Sequence, residues 1–83
     1  MTEQMNAMRN YIRDFLRRPG LVIEENTPLV SSGLVDSMAL VDLLIKLEDL
    51  THTRIPAGKV QPKDLDTLAL MFATAERVGR PQP

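Results

Sequence analysis

The 83-residue sequence contains no cysteine. This absence excludes disulfide bonds and thiolate metal sites, and it leaves the chain without a thiol of its own. A chain this short forms one small domain with a small core, which cannot enclose both a deep ligand pocket and a catalytic constellation. We therefore expect neither a metal site nor an enzyme active site.

The sequence also lacks any apolar run long enough to span a membrane. Charged side chains interrupt the N-terminal region from Arg9 to Arg18, so no signal peptide is indicated. The formal net charge of −1 gives no overall attraction to nucleic acid. These absences predict a soluble cytoplasmic protein that neither inserts into membranes nor binds nucleic acid.

The charges that are present are unevenly distributed. Residues 1–18 hold four arginines, whereas Lys46 is the one base among six acids in residues 24–49, which are Glu24, Glu25, Asp36, Asp42, Glu48 and Asp49. An acidic zone of this kind favours basic partners and steers their approach. A solvated surface that attracts no partner is the simpler interpretation.

Apolar spacing predicts helices throughout, and no alternation typical of a strand competes with it. The helices are expected over residues 3–17, from Ser37 to about Leu50, and from an Asp66 or Thr67 cap to about Val78. Pro62–Leu65 should form one short helical turn, and a long loop should cover residues 19–36. This pattern predicts an all-α bundle of three main helices plus one short helix, with a single domain over residues 1–80 and a flexible tail over 81–83.

One face of each main helix is apolar and is expected to form the core. These faces are Met5, Met8, Ile12, Phe15 and Leu16; Leu40, Leu43, Leu44, Leu47 and Leu50; and Leu68, Met71, Phe72, Ala75 and Val78. Thr2 is the predicted N-cap of the first helix, and Asp36 is the predicted N-cap of the second.

The outer side of the second helix is unusual for a surface. It carries three apolar residues, Met38, Val41 and Ile45, among the acids Asp42, Glu48 and Asp49. An apolar patch ringed by acids predicts a docking surface for a partner with apolar and basic groups. Scattered surface apolar residues, or a helix buried on two sides, are the alternatives.

The run Gly33-Leu34-Val35-Asp36-Ser37-Met38 introduces this helix, and four further features follow it along the chain. They are Leu43-Leu44, Leu47-Glu48, the dipeptide Ile55-Pro56 and a short turn before Leu68. In this order and spacing, nearly the whole chain resembles the acyl carrier and peptidyl carrier protein superfamily.

The resemblance implies that Ser37 receives 4'-phosphopantetheine from coenzyme A through a phosphopantetheinyl transferase. The thiol of this covalent cofactor would carry acyl or aminoacyl groups as thioesters, which suits a chain without cysteine. Asp36 would flank the attachment site. The partner-docking residues would be Met38, Val41, Asp42, Ile45, Glu48 and Asp49, and the partners would also include a loading ligase and a downstream transferase or synthase.

The resemblance further implies a monomer. Fatty-acid-type carriers often have an acid two residues after the modified serine, where this chain has Ala39, and they are strongly acidic overall. The motif is closer to stand-alone D-alanyl or other aminoacyl carriers and to specialised carriers of secondary metabolism.

Other chemistry is poorly supported by the sequence. His52 is the only histidine, and no spacing links it to Ser37 as a catalytic pair. Asp64 and Asp66 are more simply helix caps than paired catalytic carboxylates. Acids on the second helix argue against a DNA-reading helix, because phosphate would repel them. The remaining alternative is an unmodified helical interaction module in which Ser37 only starts a helix.

Overall fold

The computed structural model of the chain describes residues 1–82. Its three α-helices are α1 (Glu3–Phe15), α2 (Leu40–Thr51) and α3 (Leu68–Val78). Two 3-10 helices, Ala57–Lys59 and Pro62–Leu65, separate α2 from α3, and β1 (Thr53–Arg54) pairs with β2 (Arg80–Pro81). The predicted all-α bundle is confirmed, and the first 3-10 helix and the two strands were not predicted.

The first helix begins as predicted and ends earlier than predicted. The Thr2 hydroxyl accepts a hydrogen bond from the Met5 N–H at 3.1 Å, which confirms Thr2 as the N-cap. The prediction that the helix continues to residue 17 is wrong, because Arg17 adopts a left-handed φ of 56°. The Arg18 N–H then bonds to the Arg13 carbonyl at 2.9 Å, which closes the helix with a Schellman motif.

The core lies between the three helices and is completed by the long loop. Fully buried side chains come from all three helices and from the loop: Met8, Ile12, Leu43, Leu47, Leu68 and Met71, with Leu29 and Val35. One predicted core residue differs, because Phe15 is 42% exposed. Six others are partly buried and pack against the core: Met5, Leu16, Leu44, Leu50, Phe72 and Val78. Phe15 is the last residue of α1, two residues before the left-handed Arg17.

A small antiparallel bridge connects the C-terminal segment to the end of α2. Thr53 is opposite Pro81 and Arg54 is opposite Arg80, while the Gln82 side-chain amide donates to the Thr53 carbonyl at 2.9 Å. Strands of two residues are too short to produce an alternating pattern, so the sequence gives no signal for them. Pro81 and Gln82 of the predicted tail make these contacts, and Pro83 lies outside the described residues.

Two features of residues 1–82 limit the functions open to the chain. None of the helices there is long and apolar enough to cross a membrane. That same part of the chain brings together no cluster of three or more histidine, aspartate or glutamate side chains that could hold a metal ion.

Candidate functional site

Ser37 lies in a turn that leads into α2. The Asp36 carboxylate accepts the Ala39 N–H at 2.9 Å, and the Asp36 carbonyl accepts the same N–H at 3.2 Å. The Ala39 carbonyl in turn accepts the Leu43 N–H at 3.1 Å, which connects this turn to the helix. The prediction that α2 begins at Ser37 is therefore wrong: the helix begins at Leu40, and Asp36 caps the preceding turn rather than the helix itself.

The turn exposes three consecutive residues between buried anchors. Val35 lies in the core before the turn, and Ala39 and Leu40 are buried after it. Asp36, Ser37 and Met38 between them are exposed. The Ser37 hydroxyl is thus accessible to a large partner, while the backbone on either side is fixed by packing.

The outer face of α2, together with Met38 in the turn before it, is as apolar as the sequence indicates. Met38 is 83% exposed, Val41 is 63% exposed and Ile45 is 59% exposed. Residues three and four apart share a helix face, so Met38, Val41 and Ile45 lie on one side. The buried Leu43 and Leu47 lie on the opposite side. Three exposed apolar side chains at this spacing form a continuous strip that begins beside Ser37.

The three acids of this helix have different surroundings. Asp42 is exposed next to the apolar strip, whereas Glu48 is half-buried and its carboxylate accepts the Ile55 N–H at 2.7 Å. Asp49 forms an exposed ion pair with Lys46 at 3.6 Å. Glu48 therefore holds the chain that follows α2, whereas Asp42 and Asp49 are both exposed to a partner.

A shallow groove of about 360 Å³ adjoins the turn that carries Ser37. The end of α1 forms one wall, and the loop and the start of α2 form the other. The lining residues are mostly apolar, with two carboxylates: Phe15, Leu16, Leu34, Val35, Asp36, Met38, Ala39 and Asp42. Apolar surface next to an exposed hydroxyl suits a group that is attached covalently and lies along the protein.

The long loop before Ser37 is held by Asp66, at the start of α3. One carboxylate oxygen of Asp66 accepts the N–H groups of Leu29, Val30 and Ser31 at 3.2, 2.7 and 2.9 Å. The other oxygen accepts the Ser31 hydroxyl at 2.8 Å. The Ser31 N–H contributes most to lowering the pKa of Asp66, and partial burial of the carboxylate opposes this effect.

Asp66 thus has a role that the sequence analysis missed. Thr67 caps α3, because its hydroxyl accepts the Leu70 N–H at 3.0 Å, and the Asp66 side chain points to the loop instead. The only signal in the sequence for this role was that Asp66 and Thr67 are adjacent candidate caps. One helix start needs only one capping residue, so the other is available for a different contact. Asp64 does cap, because its carboxylate accepts the Gln61 N–H at 2.8 Å before the second 3-10 helix.

His52 and Ser37 lie at opposite ends of α2. The helix has 12 residues and is therefore about 18 Å long, and His52 follows its last residue. A nucleophile and its general base must be within hydrogen-bond reach, so this histidine cannot activate the serine within the same chain.

A family model described as a phosphopantetheine attachment site matches residues 6–72, which is more than half of the chain. The match includes Ser37, all of α2 and the Asp66 contacts with the loop. No curated protein and no solved structure matches the chain significantly.

Proposed function

Since the chain belongs to the phosphopantetheine attachment family, we propose that it is an acyl or aminoacyl carrier protein modified at Ser37. Members of this family carry covalently attached 4'-phosphopantetheine, and the family is one of carrier domains rather than catalytic domains. The observation that carries the assignment to Ser37 is its exposed hydroxyl, which lies between buried anchors within the matched residues.

The residues around Ser37 fit a covalently attached phosphodiester. Its negative charge would lie near the N-terminal end of α2, where the helix dipole favours an anion. One Asp36 oxygen already accepts the Ala39 N–H, so this neighbouring acid also has a structural role in the turn. The attached group supplies a thiol for thioester formation, and the chain, with no cysteine, has no competing thiol.

The partner surface in this proposal is the outer face of α2. Met38, Val41 and Ile45 provide exposed apolar contact area, and Asp42 provides an accessible negative charge. Glu48 and Asp49 lie at the edge, where a backbone N–H and Lys46 already engage their carboxylates. A phosphopantetheinyl transferase, a loading ligase and a downstream transferase or synthase would use this face in turn, each with apolar and basic groups.

The cargo is proposed from the resemblance of the motif around Ser37. Ala39 occupies the position where fatty-acid-type carriers often have an acid, and the net charge is only −1. We therefore favour an aminoacyl group or an intermediate of specialised metabolism over a fatty acyl chain. The same resemblance favours a stand-alone, monomeric carrier that works in the cytoplasm.

Mass spectrometry tests the modification directly. The chain is incubated with coenzyme A and a phosphopantetheinyl transferase, and we expect one phosphopantetheine to be added per molecule. Ser37→Ala should abolish the addition without changing helicity. Ser32→Ala removes another serine from the loop before Ser37 and should leave the addition of phosphopantetheine intact. A wild-type chain that stays unmodified with several transferases would support an unmodified interaction module instead.

A further inference from the structure

We propose that Asp66 is a positioning residue for the modification of Ser37, acting through hydrogen bonds to the loop that precedes it. The inference rests on the proposed function, since it concerns how Ser37 is presented to the transferase. Asp66 is 29 residues beyond Ser37 in the sequence and does not belong to the docking face on α2.

Two successive sets of hydrogen bonds connect Asp66 to the residues just before Ser37. Asp66 accepts the N–H groups of three successive loop residues, Leu29 to Ser31. The Leu29 carbonyl accepts the Val35 N–H at 2.9 Å, so the far end of the loop is bonded to the residue that Asp66 holds. Val35 is buried and is two residues before Ser37. The carboxylate thus fixes the loop residues that hold Val35 in place, immediately before the exposed turn with Ser37.

A second contact keeps this part of the loop compact. The Val30 carbonyl accepts the Gly33 N–H at 3.0 Å, and Gly33 has a φ of 84°, which closes the chain back toward Leu29. Both carbonyls that accept these loop bonds belong to residues whose N–H groups contact Asp66. Losing the carboxylate would release the Val30 and Ser31 N–H groups and loosen the turn at Val30, whereas the Leu29 N–H would keep its 2.7 Å bond to the Asp66 backbone carbonyl.

The long connection between α1 and α2 needs such a contact. Residues 16–39 contain neither α-helix nor strand, and a segment of this length keeps one conformation only where side chains fix it. Leu29 and Val35 fix it through burial, and Asp66 fixes it through four charge-assisted hydrogen bonds from a different part of the chain. The lowered pKa of Asp66 agrees with an ionised carboxylate in this contact.

The proposal predicts a particular kinetic effect. If Asp66 holds Ser37 in the conformation that the transferase accepts, its loss lowers the fraction of competent molecules. The apparent KM then rises in proportion while kcat changes little, because molecules that bind are still modified normally. A residue that contributes only to global stability would leave both constants unchanged wherever the protein is folded.

Steady-state modification kinetics of three variants provide the test. We expect Asp66→Ala to raise the KM of the transferase for this chain about tenfold, equivalent to about 1.4 kcal/mol. Asp66→Asn should restore KM to within about threefold of wild type, because its carbonyl oxygen still accepts the three N–H groups and the Ser31 hydroxyl can reverse. Asp64→Ala is the matched control, since the Asp64 carboxylate contacts Gln61 and Arg77 rather than the loop before Ser37, and it should keep the wild-type KM.

Several results would overturn the proposal. They are a wild-type KM for folded Asp66→Ala, an equal rise for Asp64→Ala, and failure of Asp66→Asn to restore KM. Circular dichroism checks folding, and Asp66→Ser replaces Asp66→Ala if the latter does not fold. An unmodified wild-type chain would instead refute the proposed function, and the role of Asp66 with it, so the two failures are distinguishable.

Discussion

At the scale of single residues, the loop before Ser37 depends on Gly33. Its φ of 84° lies in the left-handed region, which a residue with a Cβ atom adopts only at a cost. We expect Gly33→Ala to lower the free energy of unfolding by about 1–2 kcal/mol. Urea denaturation measures the change.

Gly20→Ala is the matched control for this prediction. A Cβ atom at Gly20 meets nothing within 4 Å, and this glycine does not have a positive φ. The control should be neutral or stabilising, by at most about 1 kcal/mol, because alanine restricts the unfolded chain. Equal destabilisation by both substitutions would show that the turn at Gly33 does not need its observed backbone conformation.

Single residues also show where sequence reasoning succeeds and where it stops. Thr2 was predicted as a cap, and Thr67 as one of two candidate caps, because a cap bonds to an amide three residues away. The attachment site at Ser37 stays a prediction from its local motif. The prediction of Asp66 as a cap is wrong, because its partners, Leu29 to Ser31, are 35 to 37 residues away in the sequence. Such a contact depends on how the elements pack, which no local pattern contains.

At the scale of elements, α2 has two faces with different expected roles. Asp42 is exposed on the outer face, and Leu47 is fully buried on the inner face. We expect Asp42→Lys to slow phosphopantetheine transfer while leaving the free energy of unfolding nearly unchanged. Leu47→Ala should lower that free energy by about 2–5 kcal/mol, because it leaves a cavity in the core.

Glu76→Lys controls for the change in net charge. Glu76 is exposed and belongs to α3 rather than α2, so its reversal should leave the transfer rate unchanged. A similar slowing by both charge reversals would mean that the overall charge, rather than the face of α2, determines the rate. Transfer kinetics and urea denaturation together separate the two faces.

The elements were predictable in number and order, and less so at their ends. Apolar spacing gave three main helices and the short helix at Pro62, but α1 ends two residues early and α2 begins three residues late. The early end reflects Arg17 in a left-handed conformation, which usually favours glycine. The late start reflects the Asp36 carboxylate, which accepts the Ala39 N–H and closes a separate turn at residues 37–39 before the helix.

At the scale of the whole molecule, we expect stability to depend on the ionisation of Asp66. Its pKa is lowered in the folded state, so its contribution is fully present above the ordinary aspartate value of about 3.9. That contribution is lost as the pH falls through the lower folded pKa. The free energy of unfolding of the wild type should therefore exceed that of Asp66→Asn near neutral pH, and the difference should shrink in acid.

Urea denaturation of both proteins between about pH 2 and pH 7 checks this expectation. Comparing the two proteins removes the contributions of the other carboxylates, which both share. A difference that stays constant through the acid range would contradict this expectation, since it would mean that Asp66 has the same pKa in the folded and unfolded states.

The fold class of the whole molecule could be predicted from its sequence, whereas the pairing of β1 with β2 could not. Three amphipathic helices and a small size leave few ways to bury their apolar faces, so the bundle could be predicted. The pairing of Thr53 with Pro81 brings together residues 28 apart in segments of two residues each. Nothing in their composition distinguishes them from ordinary loops.

That bridge has a practical consequence for attaching the protein to a surface or a label. Gln82 is bonded to Thr53, just beyond the last turn of α2, whereas Ser37 lies before the first. The helix between them is about 18 Å long. A linker joined after Gln82 would thus extend from the end of α2 that is remote from Ser37. Immobilisation through the C-terminal side should therefore keep the serine accessible to enzymes in solution.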